Sequence, residues 1–300
     1  MLLDLAQNTL DGLGAGASYA LLALGFTLVF GVLRRANLSY GPAIMLGAYA
    51  ATWTSLHYPA GLLALAAITV GGSVLAGLYV ERLCFAPHRD APGPGQGRRG
   101  SAIAAMVASF AVWMQFEEAV TLAMPRHLYA FPPLTAAPPL TFGPLALRVE
   151  ALVTLAVAVL VGAGLWWALY RARFGIAVRA VIERPAAAAL AGIDVSRVSV
   201  RVFALASAIG GVAGFLIAAT HGQVTPHLGM WTTLKGLLAM MIGGIGSLPG
   251  AVAGAVLLGV LEAQSQWYLG PQFRDLAAYL LLFALLVLRP RGLLPARHAA

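Results

Sequence analysis

The sequence predicts an all-α polytopic membrane protein of eight to nine transmembrane helices, with one or two broken or re-entrant segments. Three observations carry that expectation. The 300 residues are 60% hydrophobic and only 10% charged, where soluble domains average about 25% charged residues. Apolar runs near the length needed to cross ~30 Å of hydrocarbon recur from end to end. The basic residues gather in alternate gaps between those runs, as the positive-inside rule requires of a multi-pass chain.

The apolar segments fall at about 10–33, 37–56, 60–80, 101–124, 150–170, 202–220, 233–246, 250–268 and 274–288. The seventh is short and runs into Gly243-Gly244-Ile245-Gly246, which marks it as a broken or re-entrant helix. With an outward N-terminus and nine crossings, Arg126, Arg148, Arg274 and Lys235 fall outside and the other fifteen of the 19 basic residues fall inside. That asymmetry orients the chain with its N-terminus out and its C-terminus in the cytoplasm. The opening Met1-Leu2-Leu3-Asp4 lacks a basic n-region, so the first helix is expected to be retained. The whole chain, 1–300, reads as one transmembrane domain in a cell membrane.

The gaps differ in character. Residues 85–100 are rich in Pro, Gly and Arg and read as a flexible inner loop. Residues 125–148 carry many prolines and few charges, which suggests an ordered outer cap. The longest inner loop, about 171–201, contains Glu183-Arg184-Pro185-Ala186-Ala187-Ala188-Ala189-Leu190-Ala191-Gly192-Ile193-Asp194. Proline suits the first turn of a helix and glycine the left-handed position past its end. A helix that short is marginal alone and must be held by packing. Asp194 or Ser196 can cap the helix that follows. The segment is either a plain connector on the membrane surface or a docking helix for a cytoplasmic partner.

The excess of basic residues, +8 overall, does not imply nucleic-acid binding, because it lies in short loops rather than on one water-exposed face. One cysteine, Cys84, excludes an intramolecular disulfide and multi-cysteine metal sites. A P-loop needs Gly-Lys followed by Ser or Thr, yet the only lysine, Lys235, lies between Leu234 and Gly236. This chain cannot hold ATP in that way. It is not expected to be an enzyme and needs no cofactor or metal.

Polar residues at membrane depth usually face protein or water. Glu262 lies about mid-membrane in the eighth segment and is a candidate either for the translocation pathway or for a structural acceptor. Glu117 and Glu118 lie near the outer end of the fourth segment, separated by ~100° around the helix, with Gln115 deeper. Tyr19, Thr27, Asn37 and Ser39 are further pathway candidates, with packing as the competing role. The breaks Ser39-Tyr40-Gly41-Pro42-Ala43 and Ser247-Leu248-Pro249-Gly250-Ala251 look alike, and paired helix breaks can mark a transport site. Gly41, Pro42, Gly243, Gly244, Pro249 and Gly250 are the residues of those breaks.

Several stretches in order resemble the permeases of branched-chain amino acid ABC importers, the Liv type, and more closely their H-like subunit. They are Gly14 through Leu33, Asn37-Leu38-Ser39-Tyr40-Gly41, Met45 through Tyr49, Phe174 through Asp194, Gly243 through Ala251, and Leu288 through Leu293. Three positions depart from that pattern: Ala186 stands where an acidic residue is usual, Glu183 lies one position early, and Tyr40 replaces a histidine. The resemblance implies docking to an ATPase through Glu183, Arg184, Pro185, Ala187, Ala188, Gly192 and Asp194. It also implies a second permease subunit, two cytoplasmic ATPase subunits and an extracytoplasmic substrate-binding protein, with a branched-chain or other hydrophobic amino acid as cargo. A relative carrying urea, short amides or sugars is the alternative within the superfamily. A secondary carrier or channel is the alternative outside it, but it needs more ion-coupling carboxylates than Glu117, Glu118 and Glu262 supply.

Overall fold

The computed structural model describes residues 2–32, 36–88, 96–135, 137–142 and 144–294. Arg34, Arg35, Arg89, Arg297 and Ala136 lie outside the described residues. The helices are α1 (Leu2–Phe26), α2 (Tyr40–His57), α3 (Leu62–Val80), α4 (Gln96–Ala123), α5 (Val149–Tyr170), α6 (Arg173–Glu183), α7 (Pro185–Leu190), α8 (Val195–His221), α9 (Leu228–Gly243), α10 (Leu248–Tyr268) and α11 (Arg274–Leu288). Short π-helical turns extend α1 over Thr27–Val32 and α3 over Glu81–Phe85. Among the described residues, seven helices are long and apolar enough to cross a bilayer, and α9 is a shorter apolar helix.

The chain forms two compact units. One comprises Met1–Thr27, Pro133–Gly164 and Leu234–Ala300. Its centre is the pair α1 and α10, whose backbones touch: a Cβ on Gly259 would lie 2.5 Å from Gly12 O and 2.5 Å from Gly16 N. In lipid, where apolar side chains gain nothing by leaving the solvent, such small-residue seams let helices approach closely enough for dispersion to hold them. The hairpin of β2 (Leu140–Phe142) and β3 (Leu145–Leu147) is tied to α1 by Gln7, which donates to Ala146 O at 2.8 Å and accepts from Ala146 N at 3.0 Å.

The predicted break at 243–250 is a tight turn that joins α9, a short apolar helix of 16 residues, to α10. Gly244 (φ +115°) and Gly246 (φ +84°) make the turn in backbone conformations that side chains disfavour. Gly243 and Gly250 let the two helix ends meet, since a Cβ on Gly243 would lie 2.0 Å from Gly250 O. Pro249 sits in the first turn of α10, and Ser247 caps it by accepting from Gly250 N at 3.1 Å. The tail closes over this turn: Leu293 N donates to Ile242 O and Leu294 N to Gly243 O.

The other unit comprises Leu28–Pro132 and Leu165–Thr233. There α2, α3 and α8 pack on one another through glycines: Gly47 against Thr69 and Ser73, Gly77 against Ser207, Gly214 against Ile44. Strand β1 (Tyr129–Ala130) pairs antiparallel with β4 (Gln223–Val224) just past the end of α8, where Gly222 (φ +66°) stops the helix. Within the predicted flexible stretch 85–100, a 3₁₀ turn covers Ala86–His88 and α4 already begins at Gln96. The loop of 171–201 holds two helices rather than one. The unforeseen α6 starts at Arg173 and buries Gly175 and Val178, and glycine is required there because a Cβ would lie 2.0 Å from Leu169 O.

Candidate functional site

The segment α6–α7 is built from cheap local parts and then left with an open apolar end. Pro185 opens α7 and Gly192 (φ +81°) closes it. Ile193 N donates to Ala188 O at 3.0 Å and Gly192 N to Ala189 O at 3.0 Å, the paired bonds of a Schellman cap. Asp194 then caps α8, accepting from Arg197 N at 3.0 Å and pairing with the Arg197 guanidinium at 2.9 Å. Only Ala188 of α7 is buried, so the helix rests on its own unit through that methyl group. Glu183, Arg184, Pro185, Ala186, Ala187, Ala189 and Gly192 are exposed. Leu190 is 92% exposed, and no sequence feature singled it out beyond its place at the helix end. Burial of such a leucine against a neighbour would be worth about 1.5–3 kcal/mol.

The other candidates separate into engaged and free groups. Asn37 Oδ1 accepts from Ser39 N at 3.0 Å, and the Ser39 hydroxyl donates to Ser109 O, so this turn is self-satisfied. Gly41 is a packing position, where a Cβ would lie 2.2 Å from Gly229 O, and Pro42 sits in the first turn of α2. Thr27 is buried and bonds back to Ala23 O at 2.7 Å. Glu117 accepts from Trp113 Nε1 at 2.9 Å along the same helix. Gln115 and Glu118, three residues apart on α4, are exposed.

Glu262 and Tyr19 meet in a buried ionic cluster that lies wholly within one unit. Glu262 accepts from Lys235 Nζ at 2.5 Å, Tyr19 OH at 2.8 Å and Arg274 Nε at 2.9 Å. Arg274 Nη2 donates to Tyr19 OH at 2.6 Å, and Lys235 Nζ donates to Asp275 Oδ1 at 2.8 Å. The Lys235 ammonium also lies 5.9 Å from the Tyr19 ring centroid. Side-chain exposure is 4% for Lys235 and 1% for Glu262, but 31% for Arg274 and 60% for Asp275. The partners Lys235, Arg274 and Asp275 escaped the sequence reading. A lone lysine in an apolar helix and a carboxylate at membrane depth each demand a partner, but nothing in their spacing names it. Among the described residues no cluster of His, Cys, Asp and Glu is arranged to hold a metal ion.

A helical chain with seven helices long and apolar enough to cross a bilayer among its described residues is a polytopic membrane protein. The profile described as "branched-chain amino acid transport system / permease component" matches residues 8–289, and the chain belongs to that family. The permease LivH of Escherichia coli K12 is 29% identical over 96% of this chain and 94% of its own length. BraD of Pseudomonas aeruginosa is 29% identical over 96% of this chain and 95% of its own. Both are described as high-affinity branched-chain amino acid transport system permease proteins. The fructose import permease FrcC of Rhizobium meliloti is 35% identical over a shorter stretch, 33% of this chain and 29% of its own. A metal-chelate-type ABC transporter solved in an inward-facing conformation shares the fold, with a TM-score of 0.52 and 15% identity, covering 95% of this chain and 85% of the solved one.

Proposed function

We propose that this chain is the permease subunit of an ABC importer for branched-chain or other hydrophobic amino acids, non-catalytic itself and driven by separate cytoplasmic ATPase subunits. The observation that carries the reading is α7: opened by Pro185, closed by a Schellman cap at Gly192, and offering Leu190 and three exposed alanines for contact with another chain. The absence of a P-loop sequence means that ATP-driven movement has to arrive from another polypeptide. A second permease subunit and an extracytoplasmic binding protein complete the assembly. The family and its full-length relatives support the amino-acid cargo.

Of the pathway candidates, Gln115 is the one best suited to meet solute or a second permease, together with its neighbour Glu118. Their side chains are exposed within the candidate span Gly100–Ala123, whereas Thr27, Asn37 and Ser39 already have partners in their own unit. The two helix breaks serve packing and turning, which makes them supports of the route rather than contacts with cargo.

Uptake by proteoliposomes containing the complete transporter tests the reading. ATP-dependent accumulation of leucine, isoleucine or valine in the presence of the binding protein is the expected result. Accumulation of fructose or urea in place of these amino acids would sink the cargo assignment, and uptake driven by an ion gradient without ATP would sink the class.

The orientation follows from the fifteen-to-four distribution of basic residues. Reporter fusions after Leu83, Ala136 and Arg291 are expected to report inside, outside and inside. A cytoplasmic reporter at Ala136 would invert the map and place α7 on the side away from any ATPase.

A further inference from the structure

The ionic cluster carries more positive than negative charge in its buried part. Lys235 and Arg274 bring two cations, and Glu262 brings one anion, held by three donors and 1% exposed. The second anion, Asp275, is different in kind. It is 60% exposed and joins the cluster only through Lys235. It stands in the first turn of α11, and its Oδ1 accepts from the Lys235 ammonium. An exposed partner gains little from pairing and is released at little cost, while Lys235, buried to 4% exposure, keeps its need for a counter-charge.

We propose that the position taken by Asp275 beside Lys235 is a carboxylate-binding site, that Asp275 is its resident occupant, and that the carboxylate of the transported solute replaces it during passage. Exchange of one carboxylate for another leaves the cluster's charge unchanged, so neither the empty nor the loaded state strands a buried ion. Glu262 does not exchange, because three donors converge on it. Arg274, with Nε and Nη2 turned inward and about a third of its surface open, adds positive potential at the mouth. The ligand class is a small carboxylate; its identity as an amino acid rests on the proposed function, whereas the existence of the site does not.

Chemical rescue tests the site apart from transport. Asp275→Ala, purified in the assembled transporter, is expected to unfold several degrees below the wild type. Acetate and leucine are expected to restore at least half of that loss, while potassium chloride and acetamide at equal concentration restore little, and the wild type is raised less by acetate and leucine because they must first displace Asp275. Equal restoration by chloride would mean simple screening and overturn the site, as would no restoration at all. Restoration by acetate without leucine would remove the solute as occupant and leave the uptake result standing on its own. Should Asp275→Ala not accumulate, Asp275→Asn keeps the shape of the side chain and removes its charge. That variant is then expected to lower the KM for leucine and the maximal rate together, since solute no longer competes with a resident carboxylate and leaves more slowly. An unchanged KM in that variant would overturn the exchange.

Discussion

Leu190→Asp is expected to abolish ATP-dependent uptake while the protein still inserts in the membrane at wild-type level. The residue touches almost nothing in its own chain, being 92% exposed, so folding loses nothing when it becomes polar. Docking loses the buried leucine, worth about 1.5–3 kcal/mol, and gains a carboxylate that must be dehydrated. Together these weaken a partner's grip by about a hundredfold or more, since each 1.4 kcal/mol is a factor of ten. Co-purification of the ATPase subunits is the measurement. Gly192→Leu is expected to give a similar loss by another cause, because a bulky residue is forced into φ +81° and the cap of α7 opens. Ala188→Asp differs from both. Ala188 is buried against its own unit, so the charge unseats α7 before any partner arrives. Normal retention of the ATPase by all three variants would place the contact elsewhere.

Glu262→Ala is expected to lower the yield of folded protein severely, on the order of 3–5 kcal/mol, the cost of removing one partner of a buried ion pair. Lys235 then keeps only the exposed Asp275, Arg274 keeps only Tyr19 OH, and Tyr19 OH loses its acceptor. Glu262→Gln keeps an acceptor but strands the same charge, so it is expected to fall in the same direction and less far. Adding Arg274→Gln to Glu262→Gln restores the balance of one cation to one anion and is expected to recover part of the loss. Thermal unfolding and the folded fraction in detergent check all three. A group that only lined the route behaves otherwise: uptake falls, stability holds, and the second substitution rescues nothing. Full stability in the single variants would therefore return Glu262 to the pathway candidates.

The sequence exposed these two regions to different degrees. The start and stop of α7 were legible because Pro185 and Gly192 act through their own backbones, and such rules need no knowledge of neighbours. The helix α6 was missed because its signal is tertiary: Gly175 weakens a helix in isolation and is kept there by the carbonyl of Leu169. The break at Gly243-Gly244-Ile245-Gly246 was legible in the sequence, but its form was not, because glycines at a helix end and within a helix look alike in one dimension. Only the close approach of Gly243 to Gly250 tells them apart.

By itself the sequence determined that this protein lives in a membrane, where its apolar segments and basic gaps fall, and that it carries no P-loop motif. Those properties depend on composition, run length, charge placement and the absence of a nucleotide motif, all of which are local or additive along the chain. The tertiary structure alone decided which polar groups are engaged and which are open. Glu262 lies 243 residues from Tyr19 and 27 from Lys235, yet all three are in contact, because α1 and α10 close on each other through Gly12, Gly16 and Gly259. Partnership across such separations is set by where helices pack, and in a bilayer an unpaired charge is too costly to leave the choice open.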